Sequence, residues 1–176
     1  MRRITPCIAF DQCAEQAADL YVSVFPRAHI TSIQRYGRGA PLPPGVARSV
    51  GFELDGEPFL AINFGVECST HCSPSLVVHC DTQEEIDHYW ERLSAGGTTH
   101  HGGWLSDRFG VAWQIVPGVL TLMLADPDQA RALRVAEALE RMRKVDIATL
   151  QRAWDGVRPV RESSLLAAFS TQPAFN

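Results

Sequence analysis

Thiol and imidazole side chains are the groups of this sequence with the most evident chemical potential. Cys7 lies in the apolar run ITPCIAF, and His79 lies in a second run, SLVVHC. An imidazole beside a thiol favours the thiolate, which is both a nucleophile and a metal ligand. The pair therefore predicts a reactive thiol if both side chains face one cavity. We favour the simpler interpretation, in which Cys7 is a small buried hydrophobe and His79 is a hydrogen-bonded residue at a strand end.

A second cluster, Cys68–Cys72, brings two cysteines and a histidine close together in sequence. It lacks a second ligand pair at the spacing of a zinc finger, although His100 and His101 could supply one in three dimensions. A closed zinc site needs four ligands, so we favour a polar loop with incidental thiols. The alternative of a bound metal stays open, with ligands drawn from Cys68, His71, Cys72 and His79.

Neighbouring charged residues do not form a convincing acid-base pair. Glu84 and Glu85 fall in the first turn of a predicted helix, where negative charge complements the helix dipole. Asp107 and Arg108 are predicted to be turn residues that form a surface ion pair, which contributes little stability.

Composition indicates a globular protein that folds without disulfide or metal crosslinks. The chain has 176 residues, 45% hydrophobic and 20% charged, with a formal net charge of -4. This charge offers no large basic field, so nucleic acid is not an expected partner. The first ten residues are too short an apolar segment for a signal peptide or a membrane span. The odd number of cysteines, 5, favours reduced thiols, so we expect a cytoplasmic protein with no membrane partner.

The element order β-α-β-β-β is predicted twice. In the first half a strand precedes a helix that ends at Pro26, and three further strands follow. In the second half a capping box formed by Thr82 and Glu85 opens the helix. The predicted strands are Ile4–Phe10, His29–Tyr36, Ala47–Leu54 and Phe59–Phe64, then Ser75–Cys80, Thr98–His100, Val111–Val116 and Val119–Ala125. The repeated order indicates duplication.

Helices beginning near Asp126 and Asp146 are predicted to follow the second module. The expected fold class is therefore α+β, with two βαβββ modules and a C-terminal helical extension in one domain, residues 1–156. We place module one at 1–66, a linker at 67–74, module two at 75–125, the helices at 126–156 and a tail at 157–176.

Several ordered motifs resemble a known family: ITPCIAF, AEQAADLYVSVFP, DTQEEIDHYW, GGWLSDRFGVAWQIVP and DPDQARALRV. Over residues 4–156 the chain resembles the PhnB-like branch of the vicinal-oxygen-chelate superfamily, which includes glyoxalase I and bleomycin-resistance proteins. The resemblance implies paired modules around a small-molecule pocket, in a homodimer. Many members carry the label 3-demethylubiquinone-9 3-methyltransferase. The first strand-helix turn, residues 11–14, has no glycine to admit a methyl donor, so we do not predict that chemistry.

The resemblance also implies where the superfamily's metal ligands would lie. These positions carry Thr5, Asn63, Ser75 and Gln114. Zinc, nickel, iron and manganese prefer imidazole, thiolate or carboxylate ligands, so this set is a poor coordination shell. We therefore predict no cofactor, with a divalent metal as the disfavoured alternative.

Strand alternation extends this set to the pocket lining. Trp113 should face the helix as core, whereas Trp104 is a candidate for the pocket, an interface or the core. The predicted pocket-lining residues are Thr5, Cys7, Asn63, Ser75, His79, Trp104 and Gln114. The expected function is metal-free binding of a small molecule. The alternatives are a metal-dependent lyase, isomerase or dioxygenase of the glyoxalase type, and a structural zinc or interaction protein.

Overall fold

The computed structural model of the chain describes residues 4–65 and 74–157. Its elements are, in order, β1 (Cys7–Phe10), α1 (Ala14–Val24), β2 (Ala28–Arg35), β3 (Ala47–Leu54), β4 (Glu57–Asn63), β5 (Leu76–Cys80), α2 (Gln83–Ser94), β6 (Thr98–Thr99), β7 (Trp104–Ser106), β8 (Ala112–Pro117), α3 (Leu120–Leu124), α4 (Gln129–Arg141) and α5 (Ile147–Asp155). The predicted α+β class, with two βαβββ modules and a C-terminal helical extension, is confirmed. Within the described ranges, no helix has the length and apolar character needed to cross a membrane.

Both modules have the same sheet topology. The strand orders are β1-β4-β3-β2 and β5-β8-β7-β6. In each sheet the first strand runs parallel to the last, and the remaining neighbours are antiparallel. The identical arrangement agrees with the duplication that the element order predicts.

Side chains determine where the two module helices begin. The predicted N-cap of α2 is confirmed, because Thr82 accepts from the Glu85 amide, whereas Glu85 accepts from the amide of Asp81, one residue before the N-cap, at 2.7 Å. The start of α1 instead depends on Asn63 at the end of β4, whose Oδ1 accepts from the Ala14 amide at 2.9 Å. A strand residue distant in sequence thus satisfies an amide that the helix itself leaves unpaired.

The two modules pack against each other through their helix-covered faces. The Trp113 ring on β8 lies 5.2 Å from the Tyr21 ring and 5.8 Å from the Phe25 ring of module one. Between the helices, the His88 ring hydrogen-bonds the Val24 carbonyl at 2.9 Å. The predicted core position of Trp113 is confirmed, since it is 1% exposed. Because the helix-covered faces meet in this core, the opposite face of each sheet, here called its outer face, points away from it.

Asp107 corrects the prediction of a surface ion pair. Its side chain is buried, with 3% exposure. It accepts from the Tyr21 hydroxyl at 2.8 Å and from the Trp113 indole nitrogen at 2.9 Å. Burial and the adjacent Asp107 carboxylate raise the pKa of Tyr21, so the phenol stays protonated and continues to donate. Asp107 therefore joins the two modules through a buried polar network.

The strand predicted over Val119–Ala125 is wrong, because this segment contains the short helix α3. Leu120 and Met123, three residues apart, pack against Val116 and the helices α4 and α5 in a second core. One face of α3 is thus buried in this core, and the segment pairs with none of the described strands. The predicted final strand of module two is instead β8, which ends at Pro117.

The C-terminal extension is attached to module two by specific polar contacts. Gln83 at the start of α2 donates to the Val145 carbonyl and accepts from the Ile147 amide. The amides of Gly102 and Gly103 donate to carbonyls of the segment between α4 and α5. Gly103 has φ of +77°, and a Cβ there would lie 2.6 Å from the Ile115 carbonyl oxygen of β8 and 2.9 Å from the Val145 side chain of the extension. Close contact with the extension therefore requires glycine at this position.

Candidate ligand site on the outer sheet faces

The outer face of module one forms a cavity of about 850 Å³. Its apolar floor includes Leu60 and Ile62 of β4, and polar residues of β2 and β3 border it. Register aligns Ile62 with Ser49, and Ser49 with Gln34, so one row of side chains crosses three strands. The lining residues are Gln34, Arg35, Tyr36, Gly37, Ala40, Pro41, Arg48, Ser49, Leu60, Ile62, Asn63 and Phe64.

The loop between β2 and β3 forms a fixed wall of this cavity. The Tyr36 hydroxyl donates to the Asn63 carbonyl at 2.7 Å, and the Tyr36 amide donates to the Val46 carbonyl at 2.9 Å. Leu42 at the tip of the loop is buried and packs against Gly65. These contacts preorganise the wall before any ligand arrives, which reduces the entropy lost on binding.

One arginine of the cavity is neutralised by an ion pair. Arg35 donates to both carboxylate oxygens of Glu15 on α1, at 2.7 and 2.9 Å, and also donates to the Gly45 carbonyl. The hydrogen bond from Arg35 lowers the pKa of Glu15, so the carboxylate remains ionised and balances the guanidinium charge. Arg35 therefore supports the cavity wall more than it attracts an anion.

The outer face of module two presents a second row of side chains. Register aligns Val77 of β5 with Gln114 of β8, and Gln114 with Trp104 of β7. The Gln114 amide donates to the Gly102 carbonyl at 3.0 Å, which orients its carboxamide along the sheet. His79 lies on the same face, paired with Val116. The outer face of module two thus combines amide, imidazole and indole groups with the apolar side chain of Val77.

The structure divides the predicted pocket-lining residues between the two modules. Thr5 and Cys7 are exposed at the edge of module one, where Cys7 pairs with Leu60. Ser75 is exposed just before β5, and His79 is exposed on it. A crevice of about 320 Å³ between the modules is bordered by His79 but not by Cys7. The two side chains lie on different sheets of the chain, Cys7 on β1 and His79 on β5.

Asn63 borders the cavity of module one, but its side chain has structural partners. Its Oδ1 accepts from the Ala14 amide, and its Nδ2 donates to the Ala47 carbonyl at 2.8 Å. The side chain is buried on the helix-covered side. Asn63 therefore positions α1, and its amide oxygen is already occupied.

The four positions that the resemblance assigns to metal ligands do not fit a transition metal. Thr5, Ser75 and Gln114 offer only neutral oxygens, and the oxygen of Asn63 caps a helix. Such metals prefer imidazole, thiolate or carboxylate groups. Across residues 4–65 and 74–157, no group of three or more His, Cys, Asp and Glu residues could hold a metal ion. Cys68, His71 and Cys72 lie outside the described residues.

The described cysteines lack the environment of a nucleophile. Partial desolvation raises the pKa of Cys7, although its side chain is exposed at the sheet edge, and also raises that of Cys13. For Cys80, burial together with the carboxylates of Glu85 and Asp81 raises the pKa to about 12. An activated thiol has a lowered pKa, caused by a neighbouring positive charge or a helix N-terminus. The hypothesis of a catalytic thiol therefore receives no support from the electrostatics of Cys7.

Cys7 and Cys80 should differ in their rate of alkylation, because the higher pKa of Cys80 leaves it a smaller fraction of thiolate. At pH 8 a thiol with a pKa of about 12 is roughly one ten-thousandth ionised, compared with about a quarter for an unperturbed thiol. The pKa of Cys7 is also raised, so its thiolate fraction lies below that quarter but above that of Cys80. We expect iodoacetamide to label Cys7 at least about 100-fold faster than Cys80 in the native protein. Peptide mass spectrometry over a time course measures both rates, and unfolding in urea should equalise them. Comparable native rates would contradict the burial of Cys80.

Sequence reasoning missed the floor and one side of the cavity. Leu60 and Ile62 lie in a strand whose residues from Phe59 to Ile62 are all apolar, so alternation does not indicate which of them face outward. Arg48 and Ser49 line the cavity together although they are adjacent in a strand. No signal in a single sequence identifies that arrangement.

The fold and the two outer faces define a protein of the vicinal-oxygen-chelate class. The profile of the family described as 3-demethylubiquinone-9 3-methyltransferase matches residues 2–116, more than half of the chain, and the chain belongs to this family. The C-terminal extension lies beyond the matched residues. The description is a family name and does not establish methyl transfer by this chain.

Solved structures support the same assignment. A Bacillus cereus protein described as PhnB and as a 3-demethylubiquinone-9 3-methyltransferase is 32% identical, with a TM-score of 0.59 over 65% of this chain and 99% of its own. The fosfomycin resistance protein FosX from Mesorhizobium loti is 16% identical, with a TM-score of 0.52 over 72% of this chain and 100% of its own. At this low identity, the similarity to FosX supports only the fold of this chain. Both proteins are members of the vicinal-oxygen-chelate superfamily.

A curated relative is similar to only part of the chain. An anhydro-N-acetylmuramic acid kinase from Variovorax paradoxus is 29% identical in an alignment of 105 residues, and the match covers 54% of this chain and 27% of the kinase. The chain thus spans about a quarter of the length of this relative.

Proposed function

We propose that this protein binds a small molecule on its outer sheet faces, without a transition metal at the superfamily's usual position. The observation that carries the proposal is the cavity of module one, which combines an apolar floor with polar side chains and a fixed loop wall. Small-molecule sites typically combine an apolar lining with a few oriented polar groups.

The site is completed by a second copy of the chain. Each outer face is open in the single chain, and apolar side chains remain exposed there: Phe64 is 51% exposed and Val77 is 46% exposed. Covering one module's outer face with the other module of a partner chain would bury these residues and enclose a ligand. Association that removes exposed apolar side chains from water is favourable. The ligand therefore contacts module one of one protomer and module two of the other.

Metal removal separates this proposal from the enzymatic alternative, a metal-dependent lyase, isomerase or dioxygenase. The fluorescent probe 1-anilinonaphthalene-8-sulfonate reports binding to the purified protein before and after dialysis against a chelator. We expect substoichiometric transition metal by elemental analysis and an unchanged probe affinity after dialysis. Stoichiometric metal that is removed together with probe binding would contradict the proposal.

Three variants identify the source of any zinc that is found. Zinc that is retained in Gln114→Leu and lost in Cys68→Ser or Cys72→Ser belongs to the cysteine cluster, which favours the structural zinc alternative. Zinc that is lost in Gln114→Leu belongs to the superfamily's ligand position and contradicts the metal-free proposal. Probe binding in each variant shows whether the zinc and the ligand share a site.

A further inference from the structure

A β-bulge places an arginine at the cavity of module one. Register pairs Gln34 with Ser49 and Arg35 with Ala47, so Arg48 is an extra residue with no partner in β2. Adjacent strand residues normally point to opposite faces. At this bulge, however, Arg48 and Ser49 both line the cavity. Bulges commonly redirect a side chain toward a functional site.

No described residue compensates the charge of Arg48. Within the described part of the chain, the side chain of Arg48 has no ion pair or hydrogen bond, whereas that of Arg35 is paired with Glu15. None of the described lining residues is acidic, although the whole chain has a net charge of -4. The cavity thus presents a positive charge beside Ser49 and Gln34, which offer hydroxyl and amide donors. This combination is suited to an anionic oxygen group.

The apolar part of the same cavity indicates that the ligand also has an apolar portion. Leu60, Ile62 and Phe64 provide apolar surface within the same lining as Arg48. A bare inorganic anion would leave this surface uncovered, and a neutral apolar molecule would leave the guanidinium without a partner. A ligand with one anionic group and an apolar body satisfies both features.

We infer that the cavity of module one selects small amphipathic anions, with the carboxylate, sulfonate or phosphonate group of the ligand bound by Arg48 and its apolar body lying over Leu60 and Ile62. This inference rests on the proposed small-molecule function and specifies its ligand class. The guanidinium fork donates two hydrogen bonds to such a group, while Ser49 and Gln34 donate to its remaining oxygens.

Two probes with the same aromatic body test the inference. 1-Anilinonaphthalene-8-sulfonate carries a sulfonate, and N-phenyl-1-naphthylamine lacks it. We expect the wild-type protein to bind the sulfonate probe more tightly. In Arg48→Gln, the affinity for the sulfonate probe should fall about tenfold, the factor equivalent to 1.4 kcal/mol, whereas that for the neutral probe should change by less than about twofold. Fluorescence titration measures both affinities.

Matched variants locate the effect. Arg38→Gln removes the same charge from an arginine of the neighbouring loop that does not line the cavity, and it should leave both affinities unchanged. Leu60→Gln should weaken both probes, because it places a polar group in the shared apolar floor. Circular dichroism and thermal unfolding verify that each variant is folded.

The outcomes distinguish this inference from the proposed function. If both probes bind and Arg48→Gln weakens neither, or weakens both equally, selection of anions by Arg48 is wrong while small-molecule binding stands. The same conclusion follows if Arg38→Gln has the same effect as Arg48→Gln. If neither probe binds the wild-type dimer, the proposed function is itself contradicted, and the inference with it.

Discussion

Replacement of Asp107 by alanine should lower the free energy of unfolding by about 3–5 kcal/mol, because each buried donor left without an acceptor is destabilising by about 1–3 kcal/mol and the remaining structure relaxes around some of them. The carboxylate accepts from the Tyr21 hydroxyl, the Trp113 indole nitrogen, and the amides of Phe109 and Val111 at 2.8 and 3.0 Å. Alanine would leave all four donors buried without this acceptor. Each unsatisfied donor is destabilising, and two of the four fix the neighbouring loop.

Two further variants provide a scale for this result. Tyr21→Phe removes one of the four hydrogen bonds and should lower stability by about 1.5–3 kcal/mol. Arg108→Ala changes the exposed neighbour, which interacts with the Phe109 ring at 5.7 Å, and should lower stability by less than about 1 kcal/mol. Urea unfolding followed by tryptophan fluorescence measures all three. If Asp107→Ala were no more destabilising than Arg108→Ala, the claim that Asp107 stabilises the fold through buried hydrogen bonds would be contradicted.

An aspartate introduced on either outer face should convert the proposed dimer to a monomer. Phe64 borders the cavity of module one, and Val77 lies on the outer face of module two. An unpaired charge buried at an interface is destabilising by several kcal/mol, so Phe64→Asp and Val77→Asp should each raise the dimer dissociation constant by at least about 100-fold. Both residues are substantially exposed in the single chain, so folding of the monomer should be little affected.

The matched control is Leu133→Asp. Leu133 is also an exposed apolar residue, 60% accessible, but it lies on α4 of the C-terminal extension. Analytical ultracentrifugation should find this variant dimeric at concentrations where the sheet-face variants are monomeric. Dissociation caused by Leu133→Asp alone would place the dimer interface on the extension and contradict a site shared between outer sheet faces.

The parts of the fold that could be predicted from the sequence depend on local signals. The box formed by Thr82 and Glu85 predicted the start of α2, because its hydrogen bonds join residues within one turn. Trp113 was assigned correctly to the core from its alternation with Gln114. The strand β7 was missed because it has only 3 residues, too few to show a period.

Long-range contacts explain why other predictions failed. The sequence predicts Asp107 as an exposed turn residue, whereas its side chain is buried and hydrogen-bonded to Tyr21, which is 86 residues away in sequence. The composition of the segment Val119–Ala125 predicts a strand, but packing against Val116 and α4 stabilises a helix there. Such choices between local conformations are decided by tertiary packing, which one sequence does not display.

The candidate site was only partly accessible to sequence reasoning for a related reason. The side of the sheet on which a residue lies follows from register, and the bulge at Arg48 interrupts that register. An unpaired arginine adjacent to a serine looks like ordinary exposed strand surface in the sequence. The role proposed for Arg48 emerges only when the pairing of β2 with β3 and the cavity lining are considered together.

Subunit complementation tests the central claim, a ligand site shared between two chains, most directly. Leu60→Gln impairs the module one face and Trp104→Ala impairs the module two face, so each homodimer should bind 1-anilinonaphthalene-8-sulfonate weakly. A heterodimer of the two variants, isolated with different affinity tags and assayed with chelator present, should contain one intact site and one doubly impaired site. We predict one probe bound per heterodimer with wild-type affinity. A heterodimer with no site of wild-type affinity would contradict the shared site.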